Sequence, residues 1–447
     1  MSTNGNRLPP GPKGLPIFGM ALEIRKDPLG TLQRLAREYG DLVSFTAMST
    51  PRVLVSRPEF IQQLLIIDHA KLHKSKLTKL VVAPLLGQGL LISEGDFWRR
   101  QRRLAQPAFH RARTNEYSPV MIECALERAH EWRSGETRNI AEEMMKLTLE
   151  VAVRTLFGTS LASESVSIGQ AMTFLMRYYL RRARAPWHIP ESWPTAANRR
   201  ARRELQYMDA LVYRIISDRK KDTQPRNDLL SLLMAAMNDD GTRMTEKQVR
   251  DESMTLFVAG HETTALSLSW TWYLLSQNPA AEARLHEELR GVLGGRPAGV
   301  GDLEKLPYLN AVIHESLRLF PPAFMTARMN VEPVTLGEYE IPPRTTLLAS
   351  QWVMHRDPRF FEQAERFLPE RWLDGLEQRL PPGVYFPFGD GPRRCIGQGF
   401  ALLETALVLA AIAQKFQFRL KPGFPVVPEP LVTLRPKFGI EMKIEAR

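Results

Sequence analysis

The chain is poor in cysteine: only Cys124 and Cys395 occur in 447 residues. A disulfide framework or a cysteine-rich zinc site needs more, so each cysteine must be explained singly, as buried filler or as a ligand. Long apolar runs are scarce too. The N-terminus, MSTNGNRLPPGPKGLPIFG, has no basic-then-apolar leader. The stretch that looks most like a membrane span, Met254 to Leu275, carries His261 and Glu262 near its middle, where a bilayer would make them costly. These absences predict a soluble protein in a reducing, cytoplasmic compartment with no transmembrane anchor. His-Glu pairs stand at His261, His286 and His314, but Ala265, Arg290 and Arg318 occupy the positions where a zinc-protease helix needs its second histidine. Neither a Gly-x-Ser-x-Gly elbow nor a Gly-Lys-Ser/Thr phosphate loop is present.

What is present is basic, proline-rich and periodic. The formal net charge is +11, from 60 basic and 49 acidic residues. The charge lies in short clusters without a nucleic-acid-binding motif, which argues against nucleic acid as a partner. The 33 prolines exclude a simple helix bundle. A Pro- and Gly-rich segment at about 8–20 should lie extended over a surface. Residues 30–39 read as a helix ended by Gly40, and 41–57 as two short strands around a Ser-Thr-Pro turn. Helical patterns dominate from about 95 to 320, with breaks at Gly135, Gly158 and Pro186–Pro194. The longest helix starts at Thr245, which forms a capping-box pattern with Gln248, and stops before Pro279. It spans roughly 30 residues, or ~45 Å. Another helix runs from about Tyr308 to Phe320. β-branched runs follow around Val331–Leu336 and Thr345–Ala349, then a helix from Gly399 to Lys415, and strands near Gln417–Leu420 and Gly439–Ile444. Without repeats or an internal linker, the chain is expected to form one domain over 1–447, mainly α with small β-sheets at its edges.

The segment Phe386-Pro-Phe-Gly-Asp-Gly-Pro-Arg-Arg-Cys395-Ile-Gly397 is dense in Gly and Pro and runs into an apolar helix. Cys395 would therefore stand just before a helix N-terminus, where free N–H groups favour a thiolate. Gly391 and Gly397 would let the backbone pass close under a flat ligand. Arg393 and Arg394 add positive charge, and Phe388 can shield the sulfur. The spacing Phe388, Gly391, Arg393, Cys395, Gly397 resembles the haem-binding loop of the cytochrome P450 family.

That resemblance covers almost the whole chain. It implies the cytochrome P450 fold, with haem b buried between the long central helix and the helix after the cysteine, and Cys395 as the axial iron ligand. Glu315 and Arg318, three apart on one helix face, resemble the family's Glu-x-x-Arg helix, and Pro369-Glu-Arg371-Trp its partner segment. By resemblance Glu315, Arg318 and Arg371 form a buried structural network. Ala259-Gly260-His-Glu262-Thr263-Thr264 resembles the oxygen-binding groove. Gly260 leaves space for O2, and Glu262 and Thr263 act as the acid and alcohol that deliver protons. Trp98 and Arg102, four apart, resemble a pair that holds a haem propionate. Arg328 falls where the family places a second propionate arginine, and Arg393 contributes as well. His355 is read as satisfying local hydrogen bonds.

The implied activity is a monooxygenase that inserts one atom of O2 into a hydrophobic organic substrate. A peroxide-driven peroxygenase and a haem-based ligand sensor are the rival readings. Retention of Glu262 and Thr263 argues against the first, and the lack of a Met/His sixth-ligand motif argues against a haem electron carrier. No fused reductase is evident, so electrons would come from separate ferredoxin- or flavodoxin-type proteins, docked on the basic surface near the cysteine loop and residues 98–103. Apolar pocket positions are expected at Leu77, Leu80, Val82 and Leu86, at Phe257 and Ala259, at Ala323, Phe324 and Met325, and at Leu431 and Val432. The motif variant resembles the branch that includes fatty-acid and carotenoid hydroxylases. Arginines 181–184 and 199–203 flank Trp187, Ile189 and Trp193 in a region resembling the family's mobile helices over the substrate entrance, read as a solvated loop.

Overall fold

A computed structural model describes residues 8–185, 189–222, 224, 226, 228–237 and 241–447; Trp187 lies outside them. The architecture is mainly helical with small sheets, as the sequence predicts. The chain divides into two compact units, each assembled from three segments. Neither is a continuous stretch that a linker could set apart.

The first unit comprises Met1–Lys79, Leu317–Arg366 and Asp374–Cys395. Its five-stranded sheet runs in the order Leu42–Ala47, Thr50–Val55, Thr346–Ala349, Thr326–Asn330, Leu72–Lys74. The pairing of Thr50–Val55 with Thr346–Ala349 is parallel, and the other pairs are antiparallel. Side chains alternate across the sheet, so each face has its own core. Leu42, Val53, Val55, Leu347 and Ala349 pack with Ile61, Leu64, Leu65, Met354 and Phe386. Val43, Phe45, Leu54 and Leu348 pack on the other side with Leu32 and Leu35 of the helix Pro28–Tyr39. The Pro-rich segment runs along the edge strand as anticipated: Ser44 N–H donates to Pro10 O at 2.9 Å, and a Cβ on Gly11 would lie 1.7 Å from Ser44 O.

The second unit comprises Leu80–Ser316, Phe367–Leu373 and Ile396–Arg447. Its axis is the helix Glu246–Gln277, opened by the expected capping box: Gln248 N–H donates to Thr245 Oγ1 at 3.2 Å, and Thr245 N–H to Gln248 Oε1 at 2.7 Å. This helix is buried nearly all round, packing on Ile140–Leu156 and on Gln398–Ala413. Phe416–Leu420, Glu441–Ala446 and Thr137–Asn139 form a three-stranded sheet, and Pro428–Pro430 with Leu434–Pro436 a hairpin.

Several expected boundaries move. The helices lie at Pro307–Leu319 and Gln398–Ala413, and the strand expected from Val331 begins at Val334. The strand Thr326–Asn330 and the proline-flanked hairpin were not anticipated. Thr-Ala-Arg-Met-Asn is polar, and it becomes a strand because a neighbour on each side supplies its hydrogen bonds.

Candidate functional site

The cysteine loop hangs from the sheet of the first unit. Phe386 belongs to a core cluster, and its N–H donates to His355 Nε2 at 3.1 Å. His355 is fully buried, and burial pulls its pKa down to about 3, so it serves as a neutral acceptor. The expected local role of His355 is thus a specific one: it hangs the start of the loop. The loop closes through Gly389 N–H to Phe386 O at 2.9 Å and Cys395 N–H to Phe388 O at 3.0 Å. Gly391 sits at φ +66°, and a Cβ there would lie 2.1 Å from Leu65 O. Its requirement therefore comes from the approach of the π-helical turn Gln63–Ile67, a protein contact that the flat-ligand argument did not foresee. Gly397 is the N-cap of the helix Gln398–Ala413, so Cys395 stands two residues before the cap as anticipated.

The two cysteines differ sharply. Cys124 is buried, with desolvation pushing its thiol up to about 12, and is an inert core residue. Cys395 is exposed, on a loop with half-buried Phe388 and Arg393 and exposed Arg394. Among the described residues no group of three His, Cys, Asp or Glu side chains is placed to hold a bare metal ion. A single accessible thiol in a cationic loop suits an iron that arrives already ligated by a macrocycle. The donor set fits haem.

The long helix supplies a second surface. Between buried neighbours, Ala259 is exposed and Gly260 and Thr263 are half-buried. Positions i, i+1 and i+4 share one face, so an otherwise enclosed helix opens along a narrow stripe. The Thr263 hydroxyl donates to Ala259 O at 2.8 Å and that of Thr264 to Gly260 O at 3.1 Å, which keeps the segment helical despite Gly260. A Cβ on Gly260 would meet only Leu156 Cδ1, at 3.7 Å.

Glu262 points elsewhere. It is buried, with Arg435 Nε at 2.9 Å and Nη2 at 2.8 Å from Oε1, and the Thr433 hydroxyl donates to the same oxygen. Arg435 also donates to Thr173 Oγ1 at 2.9 Å, and Trp270 Nε1 to Leu434 O at 2.9 Å. Although burial opposes it, the Arg435 charge and these hydrogen bonds hold the Glu262 carboxyl below its usual range. An ionised Glu262 therefore fastens the hairpin whose turn carries Leu431 and Val432, both half-buried. Arg435, Thr433 and Thr173 escaped the sequence reading, since nothing local marks residues 171 and 173 positions away as partners of Glu262, or Thr173 as a partner of Arg435.

Toward its N-terminal end the same helix holds a loop. Asp251 Oδ2 accepts from Gln88 N–H and Glu252 Oε2 from Leu90 N–H, each at 2.9 Å. A Cβ on Gly87 would lie 2.2 Å from Asp251 Oδ1, and one on Gly89 2.0 Å from Thr255 Oγ1. Gly87 and Gly89 are thus what let the loop lie flush on the helix. Val82 and Leu86, just upstream, are fully buried, Leu77 is half-buried and Leu80 is exposed. Phe257, expected in the pocket, is instead a core side chain: fully buried, its ring lies 6.1 Å from that of Phe157 and 5.7 Å from His261. Its position on the helix turns it toward Ile140–Leu156 and away from the open stripe. In the first unit Ala323 is exposed, Met325 half-buried and Phe324 buried.

Trp98 and Arg102 share a face of the helix Gly95–Ala105, the guanidinium 5.9 Å from the buried ring. Arg328 lies on the strand Thr326–Asn330, opposite Leu347 and Lys74. Of the residues expected in one network, Glu315 and Arg371 form an ion pair, and Arg318 bonds to backbone carbonyls. Glu315, fully buried, accepts from Leu368 N–H at 2.9 Å, Arg371 Nε at 3.1 Å and Trp372 Nε1 at 2.8 Å. Arg318 donates to the carbonyls of His355, Ala364 and Arg366 at 2.7, 2.6 and 3.0 Å. Buried Glu404, on the helix after the cysteine, was not singled out. It lies beside Thr264, and desolvation raises its carboxyl well above the usual range.

Comparison with known proteins gives a concordant picture. A family model described as Cytochrome P450 matches residues 9–442. Cyclooctatin synthase of Streptomyces melanosporofaciens is 40% identical over 95% of this chain and 92% of its own length. Cyclooctat-9-en-7-ol 5-monooxygenase of the same organism is 34% identical over 92% and 90%, and pentalenene oxygenase of Streptomyces avermitilis 31% identical over 98% and 97%.

Proposed function

Since the chain belongs to the cytochrome P450 family and is a haem b monooxygenase, served by O2, an organic substrate and redox partners, we propose that it oxygenates an apolar cyclic alkene or alkenol. The names of two relatives support that class, one acting on cyclooctat-9-en-7-ol and one named for pentalenene. So do apolar positions left open or partly open within each unit: Leu77, Ala323 and Met325 in the first, Leu431 and Val432 in the second. When bound, the haem supplies reductive activation of O2 and insertion of one oxygen atom into the substrate.

The chain's own residues hold, orient and protonate. Cys395 would ligate the iron as thiolate, and Trp98, Arg102, Arg328 and Arg393 would meet the propionates. Thr263 would pass a proton through its hydroxyl, a role that its half-buried position on the open stripe supports. Glu262 is held ionised by Arg435, so it first acts as a positioning group for the hairpin, and a proton passed through it requires that pairing to loosen. Electrons come from a separate ferredoxin- or flavodoxin-type donor, for which exposed Arg100 on the helix Gly95–Ala105 offers a docking charge. Neither cysteine forms a disulfide, which supports a cytoplasmic setting.

The accessible thiol of Cys395 carries this reading. The test is Cys395→Ser: loss of the ferrous–CO band near 450 nm is expected for haem-thiolate ligation, and its persistence would overturn the ligand. For wild type, NADPH with a reductase system should consume O2 and oxidise a cyclic alkene or alkenol. Such compounds should also shift the Soret band from low to high spin more strongly than fatty acids. Turnover supported only by peroxide, and not by NADPH with the reductase system, would sink the monooxygenase reading.

A further inference from the structure

A hydroxyl that passes a proton needs a source behind it, and Glu262 beside Thr263 is engaged by Arg435. The helix Glu246–Gln277 offers another source along one face. At about 3.6 residues per turn, Glu252, Thr255, Ala259 and Thr263 fall within an arc of about 80°. Glu252 is 1% exposed and Thr255 3%. Neither Oε1 of Glu252 nor Oγ1 of Thr255 has a hydrogen-bond partner among the described residues. Buried polar atoms are rarely left so.

Thr255 departs from other hydroxyls on its helix. Those of Thr263, Thr264, Ser269 and Thr271 each donate to the carbonyl four residues back, at 2.8, 3.1, 2.6 and 2.7 Å. Thr255 makes no such bond and turns toward the loop, where a Cβ on Gly89 would lie 2.0 Å from Oγ1. Glu252 Oε2 accepts from Leu90 N–H at 2.9 Å, which leaves Oε1 unused. Ala259, small and exposed, stands between Thr255 and Thr263. Eight residues span ~12 Å of helix, a gap of about three bridging waters. Water of this kind satisfies polar atoms that the protein leaves without partners.

We infer that Glu252 supplies protons to Thr263 through Thr255 and a file of water along this face. The Glu252 O–H breaks as its proton moves by water to the Thr255 hydroxyl, whose own proton moves on through the file to Thr263. Solvent returns one proton to Glu252 at the outer end, beside exposed Gln88 and Lys247, so charge balances over each transfer. Burial pushes the Glu252 carboxyl up to about 7, which lets it hold and release a proton near neutrality. The charged groups around it are Asp251, paired with Lys247 at 2.6 Å and Arg250 at 3.0 Å, and Asp209 of the helix Ala196–Lys221, paired with Arg250. This supply line serves the role proposed for Thr263 and rests on it.

The test compares Glu252→Gln, Thr255→Val and Thr263→Val in the haem-loaded protein, with NADPH, a reductase system and a cyclic alkenol that shifts the Soret band. Gln keeps an oxygen for the Leu90 N–H and Val keeps the shape of Thr, so the loop stays held. Each variant should lower the share of electrons recovered in product several-fold, with more hydrogen peroxide released and a larger solvent isotope effect. In wild type that share should fall as pH rises through about 7, where Glu252 ionises, and in Glu252→Gln it should be low and flat. Without turnover, infrared difference spectra across neutral pH should show a protonated-carboxyl band that Glu252→Gln removes and Thr255→Val displaces. Uncoupling by Thr263→Val alone would overturn the supply line and leave the role of Thr263 standing. No uncoupling by Thr263→Val would overturn that role and the supply line with it. Absence of the infrared band, or its indifference to Thr255→Val, would overturn the supply line whatever the turnover.

Discussion

Two carboxylates about three turns apart on the helix Glu246–Gln277 are shifted in opposite directions. Both are buried, and the difference is the company each keeps. Glu262 has the Arg435 guanidinium against it and stays ionised. Glu252 has the Leu90 N–H and the like charge of Asp251, so burial pushes its pKa up to about 7. A carboxyl raised on folding binds a proton more tightly in the native state. Its contribution to stability is whole below its unfolded value near 4.5 and is lost as pH rises through about 7. At 1.36 kcal/mol per unit that contribution is about 3 kcal/mol. Urea unfolding between pH 5 and 8 should show wild type falling relative to Glu252→Gln by that order, with the gap steady above pH 7. Parallel curves would mean that the carboxyl does not titrate there.

At the scale of the element, the hairpin Pro428–Pro430/Leu434–Pro436 is short, and its prolines deny it a full ladder. It is fixed by side chains, above all Arg435 on Glu262. Arg435→Met leaves Glu262 buried and uncompensated, which should cost about 3–5 kcal/mol and loosen the turn at Leu431–Val432. Adding Glu262→Gln should restore most of the stability, because the stranded charge is gone. A double-mutant cycle on melting temperature and on the substrate-induced Soret shift measures both, and simple additivity would count against the coupling.

The same elements show what a sequence can disclose. The cysteine loop, the capping box at Thr245 and the Glu315–Arg371 segments were legible because their chemistry lies in short runs of fixed spacing. Arg435 was illegible because its partner lies in another element of the fold. The strand Thr326–Asn330 was missed because its pairing, not its composition, makes it a strand. Phe257 was misplaced because period alone does not say which side of a helix buried all round faces the ligand.

At the scale of the whole molecule, the excess of 60 basic over 49 acidic residues should govern how fast an acidic electron donor arrives. Arg100 is exposed beside the Phe97 ring at 6.0 Å, and Arg99 next to it already pairs with Asp96 at 3.2 Å. Arg100→Glu should lower the rate of reduction by such a donor a few-fold at low salt and flatten its dependence on ionic strength. Identical kinetics at every salt concentration would remove Arg100 from the docking site.

The parallel pairing of Val53–Val55 with Leu347–Ala349 joins strands separated by about 290 residues. During synthesis at ~5–20 residues per second, the hairpin Leu42–Val55 waits roughly 15–60 s for its central partner to be made. Until then one edge of that hairpin offers unpaired N–H and C=O groups to any strand that drifts past. A nascent chain of this protein therefore has a window of vulnerability set by the ribosome, and slowing translation downstream of residue 55 lengthens the time in which a chaperone must guard that edge.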